Sequence, residues 1–347
     1  MQLSKTKTDI HIDETINKLV VHSNFLRLYS DETTILADIP VEQINSILIF
    51  GSNFNIPARL IKICNEYQIP LHLMTDYYKH NGSIYFSVHK NIKNRVAQFQ
   101  ALSSNKWKIY LSKLLLFHKF ETQKYFQKDL KHYKKAQEKL ESKKELMSLM
   151  GLEGLIASLY WEQFGNQIPQ NFNWNGRIKN PCLDPINSLL SLGYALLSTQ
   201  CQSRLTLHGL DPYCGILHMT NDDRPALVYD IMEIFRVLIV DVWVLELFKS
   251  GKFKPEDFVF TTKRICTLRA DKKNEFFRLW YKRLKYQKFS STVGMISIHD
   301  FLIILTKRLI ELFNKINQNQ LRDTGRYDRL SEYLPTFLNQ KEFICVE

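Results

Sequence analysis

The chain has 347 residues, 45% of them apolar, with 47 Lys+Arg against 35 Asp+Glu for a formal charge of +12. That apolar fraction excludes disorder and collagen-like sequence, and at roughly 100–200 residues per domain the length predicts two domains. The most apolar stretch, residues 226–248, contains Asp230, Glu233, Arg236, Asp241 and Glu246, which excludes a membrane-spanning helix of ~20 mostly apolar residues.

The opening MQLSKTKTDIHIDE lacks the apolar core of a secretory signal, and the six cysteines show no CxxC spacing. A reduced, cytoplasmic protein without structural zinc is expected. From Lys18 onward, KLVVHSN, FLRLYSD, TTILADI and INSILIF are brief runs rich in β-branched residues, separated by turn-forming residues, and predict strands. Pro57 then opens ARLIKICNEYQ, where Ala58, Leu60, Ile61 and Cys64 repeat at helical spacing, before IPLHLM returns to strand. The expected first domain, residues 1–89, is a small β-rich, sandwich-like module with one helix.

Beyond Asn91 the periodicity changes to 3.6, in segments such as Asn94 to Phe126, Leu152 to Phe164, Pro185 to Gln202, Leu227 to Lys249, Glu275 to Lys285 and His299 to Asn317. Breaks are expected at 165–176, 209–215, 220–225 and 250–257, each rich in Gly, Pro, Asn or Asp. The second domain, 90–347, is therefore expected to be all-α, which makes the chain α+β overall.

Charge is distributed unevenly: −2 over residues 1–89, +11 over 90–144, −5 over 145–262, +8 over 263–288 and 0 over 289–347. Clustered Lys and Arg suit a phosphate backbone, although Lys-rich helices also serve as plain solvated faces. The aromatics interleaved with the first basic segment, among them Phe99, Trp107, Tyr110, Phe120 and Tyr133, suit either base stacking or a helical core.

Within the acidic middle, Asp230 and Glu233 stand at i and i+3, and Asp241 lies eleven residues after Asp230, about 20° away on an ideal helical wheel. Carboxylates in so apolar a helix need a cation, a hydrogen-bond network or a shifted pKa. A divalent metal and salt bridges to Arg236 or Arg204 are both open solutions. His218, at the end of GLDPYCGILH, and Glu153, between Gly151 and Gly154, would complete a mixed nitrogen and oxygen set suited to Mn²⁺ or Mg²⁺. A hard cation among carboxylates, in a chain with polyanion-attracting flanks, suggests metal-assisted phosphodiester chemistry. Neither a P-loop nor a GxGxxG is present.

At these residues the sequence resembles the CRISPR-associated integrase of the spacer-adaptation machinery, CRISPR-associated protein one. The resemblance is carried by DPINSLLSLGYALL (184–197), GLDPYCGILH (209–218) and RPALVYDIMEIFR (224–236), in the order and spacing of that family. LEGLIASLYW around Glu153, RVAQFQAL at Arg95 and residues 39–74 extend it over both domains. It implies that Glu153, His218 and Glu233 bind the divalent metal, with Asp230 as the adjacent catalytic acid, assisting or ligating. It also implies a homodimer through the β-rich domain, and a complex with the small ferredoxin-like CRISPR-associated protein two and double-stranded or branched DNA. The implied activity is that of an endonuclease and integrase in antiviral defence, joining a new spacer by attack of a DNA 3′-hydroxyl on a phosphodiester. Arg177, Arg224 and Arg236, beside the matching motifs, are the candidates for phosphate contacts or for neutralising the acids. Val237 stands where many relatives have Pro, and Cys214 interrupts a usually apolar or aromatic turn position. A non-catalytic DNA-binding scaffold and a branched-DNA nuclease of repair are the alternative readings.

Overall fold

The computed structural model describes residues 7–51, 54–75, 80–86, 91–126, 130–172, 174–178, 181–218, 224–262, 264–322, 332 and 334–337. Contacts divide the chain into two units: 1–90 with 270–282, and 91–269 with 283–347. The contribution of residues 270–282 modifies the contiguous 1–89 and 90–347 division expected from sequence.

The first unit is strand-rich, as expected. Strands β1 (Thr8–Ile12), β5 (Ile44–Phe50) and β6 (Leu71–Met74) run parallel, and β7 (His80–Ile84) closes that sheet antiparallel to β6. A three-stranded antiparallel sheet is formed by β2 (Lys18–His22), β3 (Phe25–Tyr29) and β4 (Ile35–Pro40). β5 is buried along nearly its whole length because it has a neighbour on each side, which explains its continuous apolar run. By contrast β2 and β3 alternate, placing Leu19, Val21, Leu26 and Leu28 inside. These side chains share one core with Ile10, Ile12, Ile47, Ile49 and with Leu60 and Cys64 of α1 (Ala58–Tyr67). In the later segment of this unit, Phe277 stacks on Phe50 with centroids 5.2 Å apart, and Tyr281 and Thr8 hydroxyls lie 2.6 Å apart.

The second unit is predominantly helical. Its helices are α2 (Ile92–Ser103), α3 (Asn105–Gln123), α4 (Lys131–Ser142), α5 (Leu146–Gly165), α6 (Pro185–Leu207), α7 (Ala226–Glu233), α8 (Val242–Lys249) and α10 (Ile298–Asn317), with α9 (Ala270–Lys285) beginning in the other unit and ending here. Two short antiparallel pairs interrupt the helices: β8 (Phe258–Phe260) with β9 (Cys266–Leu268), and β10 (Lys288–Ser291) with β11 (Gly294–Ser297). They are too short for alternation to register.

Helix α6 is buried on most of its surface. Its start is set by Asp184, whose carboxylate accepts the Asn187 N–H at 2.8 Å, and by Pro185 in the first turn. It ends at Gly209, where φ is +84° and a Cβ would lie 2.5 Å from the Asn91 carbonyl, so only glycine fits. Helices α3, α4 and α5 share a core of Leu116, Phe120, Tyr133, Ala136, Leu140, Leu149, Leu152 and Ile156. Of the expected breaks, residues 173 and 220–223 lie outside the described residues; the rest are non-helical apart from Gly165, the last residue of α5, and short 3₁₀ turns. Five cysteines are free, and Cys345 lies outside the described residues. Among the described residues, no helix is long and apolar enough to cross a membrane.

Candidate metal centre

Three chain segments of the helical unit bring the candidate site together. Glu153 projects from α5, Glu233 ends α7, and His218 follows the loop after α6. The loop is fixed by Asp230. Its Oδ2 accepts the backbone N–H groups of Ile216 at 2.5 Å and Leu217 at 3.1 Å, while Oδ1 accepts that of His218 at 3.0 Å and lies 2.6 Å from His218 Nδ1. With both oxygens engaged, Asp230 orients the loop and its imidazole. Nδ1–H donates to the carboxylate, which leaves Nε2 as the nitrogen open to a ligand. The Asp230 hydrogen bond raises the His218 pKa; burial opposes it, and the charges of Asp230 and Glu233 reinforce it.

Glu153 and Glu233 are linked through Lys119 of α3. The ammonium donates to Glu153 Oε1 and lies 2.8 Å from Glu233 Oε2. The Lys119 side chain is 2% exposed, which makes the pairing obligatory, since an isolated ammonium is costly to bury. Arg236 approaches the same Glu233 oxygen at 2.9 Å. Burial pushes the Glu233 carboxyl up, but Arg236 and Lys119 overcome it and hold the group down at about 2. Despite these charges, Glu233 Oε2 is buried and receives no well-aligned hydrogen bond. Such an acceptor, a second carboxylate reaching the same point and an imidazole with a free nitrogen form a donor set that fits Mn²⁺ or Mg²⁺. Among the described residues, no three acidic, His or Cys side chains gather closely enough to enclose an ion as they stand, because the lysine occupies the meeting point.

Asp241 belongs elsewhere. It accepts from Tyr160 Oη of α5 at 2.5 Å and from Tyr194 Oη of α6, and it is fully buried. The wheel places Asp241 beside Asp230, but the chain between α7 and α8 is not a regular α-helix: residues 237–241 form one wide π turn. Asp230 consequently faces the 216–218 loop, whereas Glu233 and Asp241 both reach toward α5. Glu153 and Tyr160 are seven residues apart on α5, and the wide turn lets Glu233 and Asp241, eight apart, match that spacing. Burial pushes the Asp241 carboxyl up to about 6, partly offset by Arg236 and the two hydroxyls.

The three candidate arginines differ. Arg224 is exposed. Arg177 donates to Asn187 Oδ1, Ser191 Oγ and the Ile178 carbonyl, and its guanidinium lies 5.4 Å from the Tyr194 ring centroid. Arg236, 12% exposed, sits 5.8 Å from the Trp161 centroid and 5.3 Å from that of Tyr194, so its contacts favour neutralising Glu233 over reaching solvent phosphate. In the basic segment, Lys131, Lys134, Lys135 and Lys139 line the exposed face of α4, opposite buried Tyr133, Ala136 and Leu140. Tyr110 and Phe120 are core, whereas Phe99 is 45% exposed. By residue type Lys119 is indistinguishable from the many other lysines of its segment; its position inside the apolar run LLLFHKF is the signal that sets it apart.

Comparison with known proteins gives the family and the fold. Residues 10–282 match the family model described as CRISPR associated protein Cas1. The CRISPR-associated endonuclease Cas1 3 of Thermus thermophilus is 32% identical over 255 residues, covering 72% of this chain and 76% of the relative. Among solved structures, a casposase bound to integration product superposes with a TM-score of 0.79 at 21% identity, covering 91% of this chain and 92% of that one. A Cas6-RT-Cas1–Cas2 complex gives 0.78 at 22% identity, covering 92% of this chain and 36% of the other. At those identities the two structures speak to the fold, while the family model and the Thermus relative speak to descent. The chain belongs to the Cas1 family of CRISPR-associated proteins.

Proposed function

We propose that this chain is a divalent-metal-dependent DNA endonuclease and integrase that inserts new spacers into a CRISPR array. The observation that carries the reading is the convergence of Glu153 and Glu233, from separate helices, on one buried cationic point beside the Asp230-oriented imidazole of His218. Family membership and the endonuclease name of the Thermus relative support the reaction class, as does the integration product bound to the casposase of like fold.

Glu153, His218 and Glu233 would hold Mn²⁺ or Mg²⁺. When bound, the cation supplies Lewis-acid stabilisation of phosphoryl oxygens and activates a hydroxyl nucleophile. The chain's own residues have separable tasks. Asp230 fixes the imidazole tautomer, Arg236 keeps Glu233 ionised, and the α4 lysines with exposed Arg224 attract the phosphate backbone without reading sequence. In the proposed strand transfer, a DNA 3′-hydroxyl attacks a phosphodiester, one P–O bond forms as another breaks, and branched-DNA cleavage is the reverse or hydrolytic form.

The proposed setting is the cytoplasm, with a homodimer formed through the β-rich unit and a complex with a small ferredoxin-like CRISPR-associated protein two holding double-stranded or branched DNA. The Cas1–Cas2 composition of one fold neighbour supports that partner. The test is strand transfer by the purified chain on a branched, 3′-hydroxyl substrate with Mn²⁺ or Mg²⁺. Glu153→Ala and His218→Ala are expected to lose product while remaining folded, Glu153→Ala with a lower melting point because Lys119 loses one of its two partners; undiminished product in both would remove the site.

The Lys119 bridge also favours a second reading, a non-catalytic DNA-binding scaffold whose acids are neutralised by lysine and arginine. That reading predicts salt-sensitive DNA binding without a saturable Mn²⁺ site, and calorimetric titration of wild type and Glu233→Ala separates the two.

A further inference from the structure

The charges of the two glutamates at the candidate centre balance without any metal. Glu153 and Glu233 carry two negative charges, and Lys119 and Arg236 return two positive ones. Arg236 is held beside Glu233 by the Trp161 and Tyr194 rings, well placed to stay whatever else binds. Lys119 differs: its ammonium lies between the two glutamates, within contact distance of both, at the point a cation shared by them would take. Two cations cannot share that point.

We propose that Lys119 is a resident counter-ion of the metal-free site, and that a divalent cation binds by displacing its ammonium from Glu153 and Glu233. This deepens, and rests on, the metal-centre reading above. Two consequences follow from charge alone. Part of the metal's binding free energy is spent in breaking the lysine bridge, so the lysine sets the affinity lower than the bare carboxylates would. With the ammonium displaced, the loaded centre is more positive by one charge and the protein as a whole by two, so metal and polyanion favour each other's binding reciprocally.

The experiment is Mn²⁺ titration by calorimetry of full-length wild type, Lys119→Met and Lys119→Gln, with thermal melts with and without saturating Mn²⁺. The expected result is Mn²⁺ binding on the order of tenfold tighter in Lys119→Met. Its metal-free melting point is expected below that of wild type, with the gap narrowing at saturation, as mass action requires. Wild type that binds Mn²⁺ and variants that bind no tighter would overturn the counter-ion proposal and leave the metal centre standing. No saturable binding in any of the three chains would overturn both.

Should both variants fail to fold, amine-reactive labelling of the wild-type chain, read by mass spectrometry, gives the answer without mutation. Lys119 is expected to be protected in the metal-free protein and to label roughly threefold or more faster with Mn²⁺, against exposed Lys134 as internal standard. Equal labelling of Lys119 in the two states would overturn the proposal.

Discussion

His218 Nδ1 lies 2.6 Å from Asp230 Oδ1, and that same carboxylate accepts three consecutive backbone N–H groups, those of Ile216, Leu217 and His218. One buried side chain therefore sets both the path of the loop and the tautomer of the imidazole at its end. Asp230→Asn keeps the shape but turns half of the acceptor into a donor facing other donors. The expected cost is about 3 kcal/mol in urea denaturation, because hydrogen bonds to a buried charge are each worth roughly 1.5–3 kcal/mol. A loss below ~1 kcal/mol would show that the loop is held by something else.

Asp241 gives a pH signature. Its folded-state value of about 6 lies above the ordinary 3.8, with burial as the main cause. The folded protein thus binds this proton more tightly than the unfolded chain. The group's stabilising contribution is fully present below about pH 4 and is lost as pH rises through 6, amounting to roughly 3 kcal/mol at ~1.4 kcal/mol per unit. Asp241→Asn lacks this titration while still bonding Tyr160 and Tyr194. The stability of wild type relative to the variant is expected to fall by that amount between pH 4 and pH 7, and parallel stability curves would refute the assignment.

Arg236 tests how much of the site's integrity is electrostatic. Arg236→Met removes one of the two cations on Glu233 and leaves Asp241 with its two hydroxyl partners and the weaker influence of Arg177. Breaking a buried ion pair this way costs about 3–5 kcal/mol. Arg236→Lys keeps the charge but loses the planar stacking on Trp161 and Tyr194, and roughly half of that loss is expected. Chemical denaturation of the three chains provides the ranking; equal stability of Met and Lys variants would mean that shape, not charge, is what Arg236 supplies.

Gly193 on α6 tests packing against the wide turn. A Cβ there would lie 2.7 Å from Val240 Cγ1. Gly193→Ala is expected to cost about 1–3 kcal/mol through overpacking, despite alanine's better helix propensity. Adding Val240→Ala frees that space, so the double variant should lose less than the sum of the single losses. Additive losses in a double-mutant cycle would place the clash elsewhere.

Much of this arrangement was legible in the sequence. The runs at 18–22, 25–29, 44–50 and 71–74 read as strands because β-branched residues alternate or run continuously between turn formers, and α1, α5, α6 and α10 repeat at helical spacing. Strands β1 and β7 did not register: THR-ASP-ILE-HIS-ILE and HIS-ASN-GLY-SER-ILE are polar at alternate or most positions, and their pairing comes from distant neighbours β5 and β6. Glu153, His218, Asp230 and Glu233 were identifiable as a set, and the structure gathers them into one neighbourhood. The roles within that set were not, because a wheel assumes 3.6 residues per turn and Asp241 follows a turn that breaks the rule. Lys119 was hidden by its abundance in a basic segment, where burial, which no composition records, separates it from its neighbours.

The wide turn works as a vernier between two scales. One ruler, the helix bearing Glu153 and Tyr160, is graduated in sevens; the facing one, bearing Glu233 and Asp241, is graduated in eights, and five residues absorb the mismatch. Removing a single residue there, such as Ile239, would let the turn close to ordinary helix with Glu233 and Asp241 seven apart and still in step with the facing ruler, whereas removing one from the regular helix after the turn would swing everything downstream of it by roughly 100°. The five residues of the turn are therefore where this helix can gain or lose one residue, and the regular turns after it are where it cannot.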